Sequence, residues 1–260
     1  MLFAITAVAY AASCALFAAY LWEGGQRLER YAKVSLWLAA ALHVAYHIDT
    51  VALGERRGSY DIHAAMSALS LFVALGYLVF GKRLKLVVLG AFITPINLLL
   101  FLGAGLRDRS VVPPGVRSAL LPLHISVNVL GYAAFTLAFA VAVAYLLQER
   151  QIRAKRIGGV FQRLPSLDTL DKAALRCVLV GFPLLTVGIV TGAVLTGGFA
   201  AATAAEGTRQ AFAVAAWVVF AAVLLLRVSA GWRGRRAAFG TLIGFACACV
   251  VLVGYVVGDA

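Results

Sequence analysis

The chain has 260 residues, of which 63% are hydrophobic and only 13% are charged, and its mean hydropathy is +0.93. A soluble globular domain carries roughly twice that charged fraction. The composition therefore excludes a soluble enzyme, a disordered protein and a nucleic-acid-binding domain. The net charge of +12 is explained first by membrane topology, because the basic residues lie between long apolar runs.

The apolar runs predict the architecture, because about 20 apolar residues cross a bilayer as one helix. We predict eight such segments, at Met1–Trp22, Val34–Gly54, Ile62–Gly81, Leu86–Leu106, Ser118–Gln148, Cys177–Gly198, Ala211–Leu226 and Ala237–Val257. The fifth is uncharged over 31 residues, about 46 Å of helix at 1.5 Å per residue, so we expect it to tilt or to project. The sequence thus predicts an all-α integral membrane protein, with residues 1–260 forming a single transmembrane domain of about eight helices.

The basic residues predict how this bundle is oriented. The loops after helices one, three, five and seven hold 17 Lys and Arg residues, and the loops on the other side hold 6. Because basic loops remain in the cytoplasm, we expect both termini outside the cytoplasm, in a bacterial inner membrane. Met1–Trp22 has no positively charged start, so we expect it to be a retained helix and not a cleaved signal peptide.

The longest predicted loop, Glu149–Arg176, would face the cytoplasm. Pro165 and Ser166 predict the start of a short helix running into helix six, with Asp168 in its first turn. The basic residues of the loop would contact anionic membrane lipid. The alternative is that the loop docks a cytoplasmic partner.

Ionisable residues within membrane spans are costly and indicate function. The predicted spans and their edges contain His43, His47, Asp49, His63 and His124, which include all four histidines of the chain. Asp49 would pair with a basic residue just beyond helix two, either Arg56 or Arg57; the alternative is a proton-relay group beside His47.

The spacing of the histidines predicts their depth. His43 and His47 are four residues apart, so they share one face of helix two. His63 opens helix three, and His124 lies about 9 Å along helix five from Ser118. We expect His47, His63 and His124 at similar heights in the outer half of the membrane, with His43 about 6 Å deeper.

One function of such imidazoles is to ligate haem iron. Two histidines on one helix face cannot bind opposite sides of a porphyrin, so a six-coordinate pair must bridge two helices. We expect one of His43 or His47 to pair with His124, and the other to support the ligand or to contact a haem propionate. The alternatives are hydrogen-bonded contacts between helices and a zinc or copper site, for which helix two lacks a third ligand on the same face.

The cysteines do not predict covalent haem attachment. Four are present, and none forms a Cys-x-x-Cys or Cys-x-x-Cys-His motif. We interpret them as small core residues, at Cys14, Cys177, Cys247 and Cys249.

The second half of the chain resembles a known family. The stretch LPLHISVNVLGYAAFTLAFAVAVAYLLQERQIRAKR is similar to the histidine-bearing helix of the cytochrome c assembly family, which includes haem-handling proteins of the CcsA, CcmC and HemX types. RLPSLDTLDKAALRCVLVGFPLLTVGIVTGAV and AFAVAAWVVFAAVLLLRVSAGWRGRRAAFGTLIGFA follow in the family order. The resemblance covers roughly Leu121 to Tyr255. It implies a membrane protein whose spanning histidines bind haem b, with His124 matching the family histidine by position.

The resemblance is closest to the HemX type. Synthase-type members carry a tryptophan-rich outer segment with a Trp-Asp pair, whereas the corresponding GGFAAATAAEGTRQ has neither residue, and no histidine follows His124. The HemX branch is linked to regulation of glutamyl-tRNA reductase. This resemblance implies that the protein binds haem without covalent chemistry. The implied role is in cytochrome c maturation or in regulation of haem synthesis. The implied partners are other assembly proteins or a cytoplasmic haem-synthesis enzyme, which would bind at Glu149–Arg176. The alternatives are a regulatory scaffold without stable haem and a haem exporter or synthase subunit.

Overall fold

The computed structural model describes residues 1–53, 62–84, 87–105, 120–155, 163–198 and 204–258. Within these ranges the chain forms no strand. Eight α-helices follow one another as α1 Leu2–Glu23, α2 Gln26–His47, α3 Ile62–Leu84, α4 Gly90–Ala104, α5 Leu120–Arg153, α6 Leu167–Leu195, α7 Ala204–Ser229 and α8 Arg235–Gly258. A π-helical turn, Ile48–Leu53, continues α2, and a 3-10 turn, Val87–Leu89, leads into α4. The predicted all-α bundle is confirmed.

Seven of the described helices are long and apolar enough to cross a membrane, so the chain is a multi-pass membrane protein. These are all the helices except α2. The start of α2 carries several charges, and two histidines lie near its end, which lowers its hydropathy. The predicted second span, Val34–Gly54, thus stays a prediction, and its last residue lies outside the described ranges. The basic residues predicted to pair with Asp49 also lie outside them.

The connection between α5 and α6 is shorter than the predicted loop Glu149–Arg176. Glu149–Arg153 is the last turn of α5, and the loop's last ten residues already belong to α6. The helix α5 continues past its apolar part because Glu149 and Arg153 form an ion pair of 2.8 Å across one turn. The predicted helix start is confirmed, since the Ser166 side chain caps α6 by accepting a hydrogen bond from the Thr169 N–H at 3.3 Å.

The helices form two groups of four. In the first, α1 packs against α2 and α4, and α3 against α4; in the second, α5 packs against α6 and α8, and α7 against α8. The contact of α5 with α3 joins the groups. As a result α5 is the most buried of the candidate spans.

Glycines allow α5 and α6 to approach closely. A side chain at Gly131 of α5 would meet Leu184 and the Gly181 carbonyl of α6, and one at Gly181 would overlap the Phe135 ring. Such small residues are the usual means by which membrane helices pack backbone against backbone. The Phe135 ring in turn stacks on Phe220 of α7 at 4.0 Å between centroids.

Two arginines form polar contacts that stabilise the predicted cytoplasmic ends of the helices. Arg227 of α7 makes a two-pronged ion pair with Asp171 of α6, and Asp171 also accepts the Gly234 N–H at 2.9 Å. Arg163 donates to the Leu21 carbonyl at 2.5 Å, which satisfies the end of α1. Gly24 allows this approach, because a Cβ there would meet the Arg163 guanidinium at 2.7 Å.

Candidate functional site

His43 lies at the centre of the first helix group. Its side chain is fully buried. Nδ1 lies 3.0 Å from the Tyr10 hydroxyl of α1, and Nε2 lies 3.0 Å from the Ser67 hydroxyl of α3. The ring also packs edge-on against Phe101 of α4, with 4.5 Å between centroids. Both ring nitrogens are therefore occupied, and the ring is enclosed by four helices.

The Ser67 hydroxyl extends this arrangement to His47, whose Nδ1 lies 3.5 Å away. Tyr10, His43, Ser67 and His47 thus form one chain of polar contacts. Each hydroxyl and each neutral imidazole has a single hydrogen to donate. The two bonds of His43 must therefore run in the same direction along the chain, one donated and one accepted. His47, which is only half-buried, is the end of the chain nearest the predicted outer surface.

Further polar groups line the same helix group. The Ser70 hydroxyl donates to both oxygens of Asn97, at 3.1 and 3.2 Å. The hydroxyls of Thr6 and Ser13 and the Asn97 amide nitrogen are buried and find no hydrogen-bond partner among the described residues. Buried polar atoms of this kind are usually satisfied by ordered water.

His63 lies in the first turn of α3, one turn before Ser67. It is buried, and Nδ1 lies 3.4 Å from the Gly103 carbonyl of α4. The structure therefore assigns His63 a contact between α3 and α4.

His124 lies on the other side of the bundle, in the second turn of α5, and faces α6. Its ring is half-buried. Nδ1 lies 3.0 Å from the Thr191 hydroxyl. The ring lies against Gly192, where a Cβ would come within 3.0 Å of the His124 Cε1 atom. Sequence reasoning did not find Thr191, because it is 67 residues away along the chain.

Asn128 accompanies His124 one turn further along α5. Its amide nitrogen donates to the His124 carbonyl at 2.8 Å and lies 3.3 Å from each ring nitrogen. Gly188 of α6 leaves room for this amide, because a Cβ at Gly188 would overlap it. The sequence offered one signal for Asn128: it lies four residues after His124, so the two side chains share one face of α5.

The structure does not bring His124 into contact with either histidine of α2. No hydrogen bond or ring contact among the described residues joins His124 to His43 or to His47, and α2 packs mainly on α1 and α3. Nor do the described residues hold a group of three or more His, Cys, Asp or Glu side chains suited to a metal ion. Asp49 lies in the π-helical turn after α2, and its side chain is exposed.

His124 fits an iron ligand better than His43 does. Iron binds the lone pair of a neutral imidazole nitrogen, and the other ring nitrogen is held by a hydrogen bond. His124 has one nitrogen held by a hydroxyl and a half-exposed ring. His43 would first have to lose its bond to Ser67 or to Tyr10. His47 has one nitrogen near Ser67 and is the more accessible residue of the two on α2.

Comparison with known proteins identifies the family. A family model described as cytochrome C assembly protein matches residues 31–257. The chain belongs to this family. The match includes most of α2 and all of α3 and therefore extends beyond the resemblance seen from Leu121 onward.

Curated relatives carry the name cytochrome c biogenesis protein CcsA. That of Parasynechococcus marenigrum (strain WH8102) is 32% identical over 57% of this chain and 56% of the relative. That of Prochlorococcus marinus subsp. pastoris is 32% identical over 71% and 66%, and that of Mesostigma viride is 26% identical over 68% and 67%. The chain thus spans between about half and two thirds of the length of these relatives. A bacterial inner membrane is consistent with them. No solved structure matches the chain.

Proposed function

We propose that this protein binds haem b through transmembrane histidines, with His124 as the principal iron ligand. The observation that carries the proposal is the His124 ring, which lies half-buried in the second turn of α5 with Nδ1 held by the Thr191 hydroxyl. Histidine is a common axial ligand of haem iron. Bound haem would supply an iron that changes its oxidation state and a porphyrin that can be passed on.

His47 is the better candidate for a second ligand. Its ring is half-buried and has one hydrogen-bond contact with the described residues, at 3.5 Å, whereas His43 is fully buried and bonded at both nitrogens. We propose that His43 orients the polar chain behind His47. The support for this second ligand is weaker than for His124, because α2 packs mainly on α1 and α3 and not on α5.

We propose a role in cytochrome c maturation or in regulation of haem synthesis. The name of the CcsA relatives supports the first role. The segment between α6 and α7, which lacks both Trp and Asp, supports placement near the HemX type. On this proposal the protein holds haem and makes no covalent bond to it.

The proposal is tested by an absorption spectrum of the detergent-purified protein, as isolated, after haem addition and after dithionite. We expect the bands of a low-spin haem, and we expect His124→Gln to abolish them. Tyr132→Phe is the matched control, since it lies two turns along the same helix and loses only a hydrogen bond to the Ala248 carbonyl. A spectrum that stays featureless after haem addition, or one that His124→Gln leaves unchanged, would contradict the proposal.

A second candidate function is a membrane scaffold for a cytoplasmic haem-synthesis enzyme. Three exposed basic residues favour it, because the described residues give them no acidic partner. They are Arg150 in the last turn of α5, Lys155 just after α5 and Arg176 in the third turn of α6. Of the other described basic residues of Glu149–Arg176, Arg153 and Lys172 form ion pairs, and Arg163 donates to the last carbonyls of α1.

Neutralising these three residues tests the scaffold function. The triple change to Gln should reduce recovery of glutamyl-tRNA reductase in a pull-down by at least about tenfold, since several charge contacts would be lost. Lys172→Gln is the control, because Lys172 is already paired with Asp168 at 2.6 Å. Unchanged recovery would leave the segment as a lipid contact.

A further inference from the structure

The hydroxyl of Thr191 determines which nitrogen of His124 carries the hydrogen. Thr191 Oγ1 lies 2.7 Å from the Val187 carbonyl oxygen one turn earlier in α6, and 3.1 Å from the Gly188 carbonyl oxygen. Two oxygens 2.7 Å apart are at the usual length of an O–H···O hydrogen bond. The carbonyl has no hydrogen, so the hydroxyl must donate its own to the backbone.

The same hydroxyl then has only its lone pairs to offer to His124. Because His124 Nδ1 lies 3.0 Å from Thr191 Oγ1, the ring must donate from Nδ1. A neutral imidazole carries one N–H. The ring of His124 is therefore the Nδ1–H tautomer, and its lone pair is on Nε2.

The neighbouring amide does not block this lone pair. The Asn128 nitrogen lies at the same 3.3 Å from both ring nitrogens. An atom 3.3 Å from both nitrogens would overlap the Cε1 atom between them if it lay in the ring plane. The Asn128 nitrogen therefore lies out of that plane and along neither lone-pair direction. Among the described residues, no side chain other than this amide contacts Nε2 by a hydrogen bond.

We propose that Thr191 is a positioning residue that holds His124 as the Nδ1–H tautomer, so that Nε2 is the atom presented to a metal centre. The inference rests on the proposed function for the identity of that centre as haem iron. The tautomer itself depends only on the contacts between α5 and α6. Hydrogen bonds that orient a ligating histidine in this way commonly change metal affinity 10- to 100-fold.

The tautomer can be measured in the full-length, haem-free protein in detergent. Histidine labelled with ¹⁵N gives separate NMR signals for a nitrogen with a hydrogen and one without, at a pH where the ring is neutral. The His124 signals are identified by their loss in His124→Gln. We expect a protonated Nδ1 and an unprotonated Nε2 in the native protein and in Thr191→Ser, which keeps the hydroxyl.

Thr191→Val removes the acceptor and should move the hydrogen to Nε2 in part or in full. Thr186→Val is the matched control. Thr186 also lies on α6, also donates to its own helix, at 2.9 Å from the Phe182 carbonyl, and also accepts a ring N–H, that of Trp217 at 2.9 Å. It should leave the His124 signals unchanged. An Nε2–H tautomer in the native protein, or a tautomer that Thr191→Val does not alter, would overturn the inference.

Haem titration separates this inference from the proposed function. If haem binds, Thr191→Val should weaken it by about tenfold or more, Thr191→Ser should restore it, and Thr186→Val should have no effect. Equal affinity in Thr191→Val and the native protein would overturn the positioning role. If the native protein binds no haem, the proposed function fails, and the NMR result alone decides whether Thr191 sets the tautomer.

Discussion

The two helix groups place their polar side chains differently. In α1–α4 the polar residues meet at the centre, where His43 is bonded on both nitrogens and fully buried. In α5–α8 His124 has Nδ1 held by the Thr191 hydroxyl and is half-buried, and a largely buried ion pair stabilises the end of the group. A histidine whose bonds are complete stabilises the fold, whereas one with an open nitrogen is able to bind a ligand.

The ion pair at the end of the second group should give the largest effect on stability. Asp171 and Arg227 each have side chains only 12% exposed. Asp171→Asn leaves the arginine buried without its charge partner, so we expect a loss of about 3 kcal/mol in the free energy of unfolding. Thermal unfolding in detergent measures it.

Asp168→Asn is the matched control for this change. Asp168 pairs with Lys172 on the same helix, but these side chains are 70% and 63% exposed. Exposed pairs contribute about 0.5 kcal/mol or less. Similar losses of unfolding free energy in Asp171→Asn and Asp168→Asn would show that the pair of Asp171 with Arg227 does not stabilise the second group more than an exposed pair does.

The contrast between the two histidines can be tested next. His43→Leu keeps the volume but leaves the Tyr10 and Ser67 hydroxyls without their partner, so we expect a loss of about 2 kcal/mol. His124→Leu removes a half-buried ring and should cost under about 1 kcal/mol. The order of the two unfolding temperatures checks this, and the reverse order would contradict the assignment of His43 to structure and of His124 to binding.

The close approach of α5 and α6 should give a smaller effect. Gly188→Ala would displace Asn128, and Gly192→Ala would press on the His124 ring at 3.0 Å, so each should cost about 1 kcal/mol. Gly131→Ala would make an ordinary contact of 3.4 Å with Leu184, and the better helix propensity of alanine should offset it. If Gly131→Ala, Gly188→Ala and Gly192→Ala have the same unfolding temperature, α5 and α6 can move apart without a loss of stability, which would contradict this prediction.

The sequence by itself determined the helices. Apolar runs of membrane length predicted the seven helices that can span a membrane, because in lipid a backbone must satisfy its own hydrogen bonds. The remaining helix, α2, was predicted as Val34–Gly54 but begins at Gln26. Ser166 marked the start of α6 correctly. The end of α5 was predicted too early, because a charged turn stabilised by a local ion pair does not look like a membrane span. The histidines were found for a related reason: a polar ring is conspicuous in an apolar helix.

Only the tertiary structure decided what each histidine does. Spacing could place His43 and His47 on one face of α2, but the partners of His43 come from α1 and α3. The partner of His124 comes from α6, across a glycine-lined contact that no local pattern specifies. Hydrogen bonding within a membrane bundle depends on which helices are neighbours. That choice is made by packing over the whole chain, so whether a histidine ring keeps an open nitrogen is a property of the fold and not of the helix that carries it.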